Sequence, residues 1–464
     1  EPEQSAEPEI AEEPEQSAEP EIEAQPYTAL PESEQDGSQQ MMALSADLAS
    51  GITAKSGADT TGANDTVEAY AIPAGSAYIR EMAGLLTYKN DATANAIQNA
   101  LQDALTTARD AINRTATIVV ANGTYNGGIN LDASSGSTLS SLILSIFGSA
   151  DAAKDIKLQI VAEDALNESG EATANSAGGA QVDGSVTISG LDVVLAGLYF
   201  STRAMVSVSD ADSFSYYGTK LSDDVDIAVS NVKKNIKVDL GDGDDKASVK
   251  IKQAPTVSAS MTVTAEMGQD AASLFEALTS FDASEITKLG ANLASAVQSF
   301  LSSLNSSISG MVVTDSLTVD IDGGAGEDEI AVKQINSTDL TMTSGDTGST
   351  YGFAIDLSKV DTTIRGGAGS DALGATGGME LTYGRKVISS LMEYVAEEFD
   401  IAGSSLQFFG GDGDDLVTVD TTAAFPSFRG VAIDVAGGAG FDRLHLTGKL
   451  NDQIAAASRI TGNT

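Results

Sequence analysis

One spelling recurs down the second half of the chain and limits what the chain can fold into. It reads Leu240-Gly241-Asp242-Gly243-Asp244-Asp245, then Gly323-Gly324-Ala325-Gly326-Glu327-Asp328, Gly366-Gly367-Ala368-Gly369-Ser370-Asp371, Gly410-Gly411-Asp412-Gly413-Asp414-Asp415 and Gly437-Gly438-Ala439-Gly440-Phe441-Asp442. The shared pattern is Gly-Gly-x-Gly-x-Asp. Each copy follows a short apolar strand candidate, and most lead into another, as Asp328 leads into Ile330-Ala331-Val332. Glycines accept positive φ, so the turn can fold tightly and aim its carbonyls inward. Carboxylates and carbonyls are the hard oxygen ligands calcium prefers, at about 2.3–2.6 Å. One copy alone is ordinary hairpin punctuation. Five copies at matching places between strands point to calcium.

The repeated spelling assigns Asp245, Asp328, Asp371, Asp415 and Asp442 to bound calcium (Ca2+), helped by Asp242, Asp244, Glu327, Asp412 and Asp414. The turns resemble the calcium-binding nonapeptide of RTX proteins, Gly-Gly-x-Gly-x-Asp followed by x, an apolar residue and x. RTX copies are tandem. Here the final Asp residues are 83, 43, 44 and 27 residues apart, which excludes a nine-residue β-roll. Gaps of this length hold several strands, so the expectation is one turn per coil of a wider solenoid. The turns would then line up along one edge, about 4.8 Å apart, so that one ion can be shared between adjacent coils.

Charge agrees with a cation partner. The chain of 464 residues has 67 acidic and 25 basic residues, a net charge of −42. Phosphate binding needs a basic surface, so nucleic acid is excluded as a natural partner. Anionic membranes are disfavoured on the same ground, and divalent cations relieve the self-repulsion. There is no cysteine, no tryptophan and one histidine, His445. Disulfides, Cys/His zinc sites and thiol catalysis therefore drop out. No apolar run reaches the ~18 residues of a membrane span. The expected location is extracellular or at a cell surface. No basic-then-apolar signal opens at Glu1, so the chain is expected to begin after processing or to be a segment of something longer.

Read in order, residues 1–40 are a Glu/Pro-rich linker in which the ten residues from Glu1 to Ile10 repeat from Glu13 to Ile22. Such a tract cannot bury a core. Residues 41–90 form a lead-in segment of a strand or two and are a candidate assembly strand. The run Ala92–Ile112 carries Ile97, Leu101, Ala104, Leu105, Ala108 and Ile112 at helical spacing, with Asp91 as candidate N-cap. Thr117-Ile118-Val119-Val120-Ala121-Asn122-Gly123-Thr124-Tyr125 follows. Helix and strand together resemble the opening of right-handed parallel β-helices of the pectate-lyase type, where an amphipathic helix caps the first coil. That resemblance implies a mainly β fold: a right-handed parallel β-helix over 91–448 with an N-terminal capping helix. Helical insertions are expected near 139–147, 271–308 and 387–399, and a C-terminal tail over 449–464. Without residues 271–308 the 83-residue gap shrinks to 45, close to its neighbours.

An active site is hard to find. A β-helix fold alone grants no activity. Basic residues are sparse, and Arg365, just before a turn, reads as one half of a structural salt bridge. A lone His445 in an alternating strand reads as packing or surface. A catalytic β-helix should show a cleft in which Arg or Lys faces paired acids. The expectation is a non-enzymatic, calcium-stabilised structural or adhesive subunit of a surface, matrix or fibre. Its partners would be other copies, joined end to end, and extracellular polysaccharide. The alternative is a secreted polysaccharide lyase or hydrolase. Six Asn-x-Ser/Thr sequons, at Asn64, Asn113, Asn122, Asn167, Asn305 and Asn336, are of the kind chance supplies in such a composition.

Overall fold

A computed structural model describes residues 53–54, 66–71, 86–89, 101, 104–106, 108–109, 115–120, 123–126, 128–149, 156–167, 171–200, 202–264, 291–309, 316–345, 348–381, 403–420, 431–447 and 459–461. All of them belong to one compact unit, Ala49–Thr464. The linker 1–40 and the insertion near 387–399 lie outside the described residues, as does all of the tail but 459–461.

The protein is mainly β. Its strands are β1 (Thr53–Ala54), β2 (Thr66–Ala71), β3 (Leu86–Lys89), β4 (Thr115–Val120), β5 (Gly123–Asn126), β6 (Ile129–Asp132), β7 (Lys157–Ala162), β8 (Ala180–Asp183) and β9 (Val186–Ser189). They continue with β10 (Asp192–Ala196), β11 (Leu198–Tyr199), β12 (Ala204–Ser209), β13 (Ser213–Thr219), β14 (Asp224–Ser230), β15 (Asn235–Gly241), β16 (Lys246–Gln253), β17 (Val257–Thr264) and β18 (Leu317–Ala325). The last are β19 (Glu329–Gly345), β20 (Gly348–Ile355), β21 (Val360–Ala368), β22 (Ala372–Leu381), β23 (Ser404–Asp412), β24 (Leu416–Asp420), β25 (Val431–Ala439), β26 (Arg443–Thr447) and β27 (Arg459–Thr461). Two helices, α1 (Thr138–Phe147) and α2 (Ala291–Ser309), interrupt them.

From β12 onward, leaving aside β17 and β20, successive strands alternate between two sheets. The larger runs β27-β25-β23-β21-β18-β15-β13-β10-β7-β4-β2-β3, and the other runs β26-β24-β22-β19-β16-β14-β12-β9-β6. Neighbours within each are parallel from β4 and from β6 onward. The cause is a strict period of two. In β14, Val225, Ile227 and Val229 are buried and their neighbours are not; in β15, Ile236, Val238 and Leu240 do the same. Parallel register then stacks like on like. Val238, Ile321, Ile364, Phe408 and Val435 form one inward column across five strands.

One hydrophobic cluster runs from Leu101 to Val435. The helix expected over 92–112 is helical at 101, 104–106 and 108–109, and Leu101, Ala104, Leu105 and Ala108 pack on that cluster. Helix α1 is capped at its start by Ser137 Oγ and stopped by Gly148 at φ 75°. In the 41–90 segment, β1 pairs with β5 and β2 with β4, both antiparallel and within the chain. At the other end β27 lies on β25. One region leaves the parallel pattern: β17, β20 and the second half of β19 make an antiparallel ladder, against which α2 packs Phe300 edge-on to Phe353. The sequon at Asn336 is not accessible to modification, because Asn336 is fully buried and donates to the carbonyl of Asp356.

Phe408 is the largest side chain in its column and is wholly buried. Phe408→Ala is expected to cost about 3–5 kcal/mol, read from the shift of the urea unfolding midpoint; a loss under about 1 kcal/mol would mean that the core is not packed in this register.

Candidate metal centre

Each Gly-Asp turn carries the chain from the larger sheet to the other one. The turn ending at Asp328 joins β18 to β19, and the four others join β15 to β16, β21 to β22, β23 to β24 and β25 to β26. Because the strands are in register, the turns stack. The second and third glycines make this possible. Gly324 has φ 96° and Gly326 φ 140°. A Cβ on either would stand 1.8 Å from a carbonyl oxygen of the preceding turn, Gly241 or Gly243 respectively. No side chain fits there.

The last Asp of each turn points inward and holds the turn before it. The backbone N–H of Asp245 donates to Asp328 Oδ1 at 2.9 Å, that of Asp328 to Asp371 Oδ1 at 2.9 Å, that of Asp371 to Asp415 Oδ1 at 2.9 Å, and that of Asp415 to Asp442 Oδ1 at 3.2 Å. Asp245, Asp328, Asp371 and Asp415 are buried, and Asp442 is half-buried. The other oxygen, Oδ2, of the four buried residues has no hydrogen-bond partner. In Asp328, Asp371 and Asp415 it sits above the first glycine of its own turn together with a carbonyl of the next. A Cβ on Gly323 would lie 2.4 Å from Asp328 Oδ2 and 2.5 Å from the oxygen of Gly366. On Gly410 it would lie 2.1 Å from Asp415 Oδ2 and 2.2 Å from the oxygen of Gly437. Two oxygen acceptors thus meet with no donor between them, an arrangement that a hard cation or a proton relieves.

The ten residues expected at the metal do not form one set. Asp245, Asp328, Asp371, Asp415 and Asp442 make the inner column. Asp244, Glu327 and Asp414 are exposed and make an outer one. There Asp244 Oδ1 accepts from the N–H of Glu327 at 3.0 Å and Asp414 Oδ1 from that of Phe441 at 2.9 Å. Asp242 and Asp412 are exposed as well. Adjacent residues of an extended chain face opposite ways, which separates 244 from 245 and 414 from 415. Among the described residues no three carboxylates or imidazoles converge on a point. A metal here would take its remaining ligands from glycine carbonyls.

A sixth rung escaped the motif. Asp223 is buried, and its N–H donates to Asp245 Oδ1 at 2.6 Å. Its own Oδ2 accepts from Thr219 N at 2.8 Å and Thr219 Oγ1 at 3.2 Å, which closes the series. Gly218 stands five residues before Asp223, as the first glycine does in the four turns from Gly323 onward, but Thr219 and Leu221 replace the second and third glycines. That five-residue offset is the only signal the sequence carries for it.

A second charged cluster lies on the outward face of the larger sheet. Tyr217, Asp239, Asp322, Arg365 and Phe409 are in register across five strands, with Lys237 and Asp320 beside them. Lys237 Nζ sits 4.7 Å from the Tyr217 ring centre and 3.8 Å from Asp239. Arg365 pairs with Asp320 and lies over Phe409. A groove of about 690 Å³ adjoins this strip, lined by Lys157, Gln159, Asn175, Tyr217, Lys237 and Asp239 among others. His445 is exposed on β26.

Compared with known proteins, the chain matches no family model, no curated protein and no solved structure. Among the described residues no helix is long and apolar enough to cross a membrane.

Burial governs the protonation of the inner column. It pushes the Asp245 carboxyl up to about 8, with Asp223 and Asp328 as further causes, and the Asp328 and Asp223 carboxyls up to about 6. Asp371 and Asp415 are raised for the same first reason. These groups hold protons in the folded chain that the unfolded chain, at its ordinary value of 3.8, has released. Their contribution to stability is therefore complete below about pH 4 and is lost as pH rises through about 6 to about 8. In metal-free buffer the melting temperature is expected to fall across that window. Asp245→Asn, which cannot titrate, should flatten the upper part of the fall. A metal-free melting temperature that climbs over the same range would contradict this electrostatic picture.

Proposed function

We propose that this chain is a right-handed parallel β-helix stabilised by calcium along its aspartate column, serving outside the cell as a structural or adhesive subunit. Supporting the solenoid are the alternation of strands between two parallel sheets, the single continuous core and the stacking of successive turns on one edge. Supporting calcium is one observation above the rest: four buried carboxylates, one per rung, each with an unpaired oxygen, which in Asp328, Asp371 and Asp415 lies beside a glycine carbonyl. A buried charge needs a partner. Asp245, Asp328, Asp371, Asp415 and Asp442 would hold the ions, and the ions would supply the positive charge the column lacks. The net charge of −42 supports the same reading, since bound divalent ions reduce self-repulsion.

A structural role, with other copies as partners, draws support from the C-terminal end. Among the described residues strand β26 is the last of its sheet, Phe441 in the turn before it is 86 % exposed, and Leu446 on it is exposed. An open strand edge with apolar residues is a template for a further strand.

A carbohydrate-active enzyme is the second reading. The outward strip favours it, because Lys237 and Arg365 face Asp239, Asp320 and Asp322 between two aromatic rings. Burial raises both Asp239 and Asp322 above the ordinary carboxylate range. Asp322→Asn separates the readings. It should abolish any release of sugar ends from polysaccharide and leave a purely structural subunit unaffected.

Calcium is tested directly by titration calorimetry on the chelator-treated chain. Heat of binding, and a melting temperature that rises by several degrees with millimolar calcium, is the expected result; at a hundredfold excess over Kd the linked gain is about 2.7 kcal/mol. Asp371→Asn should reduce the stoichiometry. A chelated protein that neither binds calcium nor changes its melting temperature overturns the reading.

A further inference from the structure

Six buried positions line up where the turns leave the larger sheet: Gly218, Leu240, Gly323, Gly366, Gly410 and Gly437. Each stands five residues before the aspartate of its own turn. Five are glycine and one is leucine. The backbone does not ask for glycine there, because φ is positive at none of the five. Stacking does not ask for it either, since Leu240 is accommodated in the same register. The bare Cα atoms leave room for something other than a side chain.

At three positions the place of the missing Cβ is flanked by the same two oxygens. Beside Asp328 Oδ2 and the carbonyl of Gly366 at Gly323, the pair at Gly366 is Asp371 Oδ2 at 2.2 Å and the Gly410 oxygen at 2.6 Å. At Gly410 it is Asp415 Oδ2 and the Gly437 oxygen. All three carboxylates are buried, and all three Oδ2 atoms lack a hydrogen-bond partner. The other three turns differ, each in its own way. Leu240 fills the place with a side chain that is wholly buried. Its alignment is shown by its own carbonyl, which lies 2.1 Å from a Cβ built on Gly218, as the Gly366 carbonyl lies against Gly323. At Gly437 the nearest atoms all belong to Asp442, with no carbonyl among them. At Gly218 the oxygen in question, Asp223 Oδ2, already accepts from Thr219. Calcium takes six to eight oxygen ligands, so a turn that offers both a carboxylate and a carbonyl binds it better than a turn that offers one. Hydrocarbon supplies no ligand and takes the room.

We infer that the rungs are unequal and that the residue five places before each aspartate ranks them. The strong cation sites are those of Asp328, Asp371 and Asp415, where the carbonyls of Gly366, Gly410 and Gly437 are further ligands. The rung of Asp245, with Leu240 in the cradle, and that of Asp442, with no next turn, hold a cation weakly. This rests on the calcium reading of the turns and adds to it three carbonyl ligands and one residue, Leu240, that decides where the ions go.

Calcium calorimetry on the full, chelator-treated chain and its variants tests the ranking. The parent should bind three ions in its tighter class, one for each glycine cradle that holds both oxygens. Asp371→Asn should lose one of the three, and Asp245→Asn none. Leu240→Gly, which opens the filled place, should gain one. Gly366→Ala, which fills an open one, should lose one. Leu240→Gly also removes core hydrocarbon, so if it does not fold the two Asn variants, which keep the Oδ1 acceptor of each rung, decide alone. Equal loss of tight ions from Asp245→Asn and Asp371→Asn overturns the ranking and leaves the calcium reading of the turns standing. A folded Leu240→Gly chain with the parent's number of tight ions does the same. Calorimetry that finds no calcium on the intact chain overturns both.

Discussion

The hydrogen bond from the backbone N–H of one rung's aspartate to Oδ1 of the next is the constraint on which the rest depends. It locks the turns in register one strand apart. Register then decides everything laid over it: which residues face the core, which carbonyl meets which glycine, and which side chains share an outward strip. A one-residue slip would turn every inward side chain outward. The glycines matter through the same bond, because a Cβ at Gly324 or Gly326 would hold the turns too far apart for the carboxylate to reach.

The same arrangement leaves an electrostatic remainder. Asp245, Asp328, Asp371 and Asp415 each spend one oxygen on the neighbouring N–H, and the second is buried with no hydrogen-bond partner. Stacking such groups at strand spacing brings like charges within about 5 Å of one another, well inside the screening length of physiological salt. Burial raises the protonation of Asp245, Asp328 and Asp223, and neighbouring carboxylates add to it at Asp245 and Asp328. On the outer face the problem is solved differently, with Lys237 and Arg365 placed among Asp239, Asp320 and Asp322.

Much of this was legible in the sequence. The fixed offset between the paired inner glycines and the final aspartate located five rungs, and period-two alternation located most of the strands that stack on them. The sheets are parallel, as expected. What could not be read depends on three-dimensional partners. Asp244 and Asp245 are neighbours of one type, yet one lies in solvent and the other in the core. Tyr216 and Tyr217 are divided in the same way. The rung at Asp223 was lost because Thr219 stands where glycine was sought, although its hydroxyl and N–H both donate to one oxygen, Oδ2, of that carboxylate. The antiparallel ladder of β17, β20 and β19 was also missed, since its Ser/Thr alternation looks like that of the parallel strands and nothing local names a strand's partner.

The column has a direction. Every rung donates its N–H to a carboxylate that lies further along the chain, from Asp223 to Asp245 and onward to Asp442. A chain made from its N-terminus therefore presents each turn before the residue that completes it exists, with a wait of 83 residues between Asp245 and Asp328 and of 27 between Asp415 and Asp442. The two ends of the column are correspondingly unequal: trimming from the C-terminal side strips the last remaining turn of its acceptor, whereas trimming from the N-terminal side removes only a donor from a carboxylate.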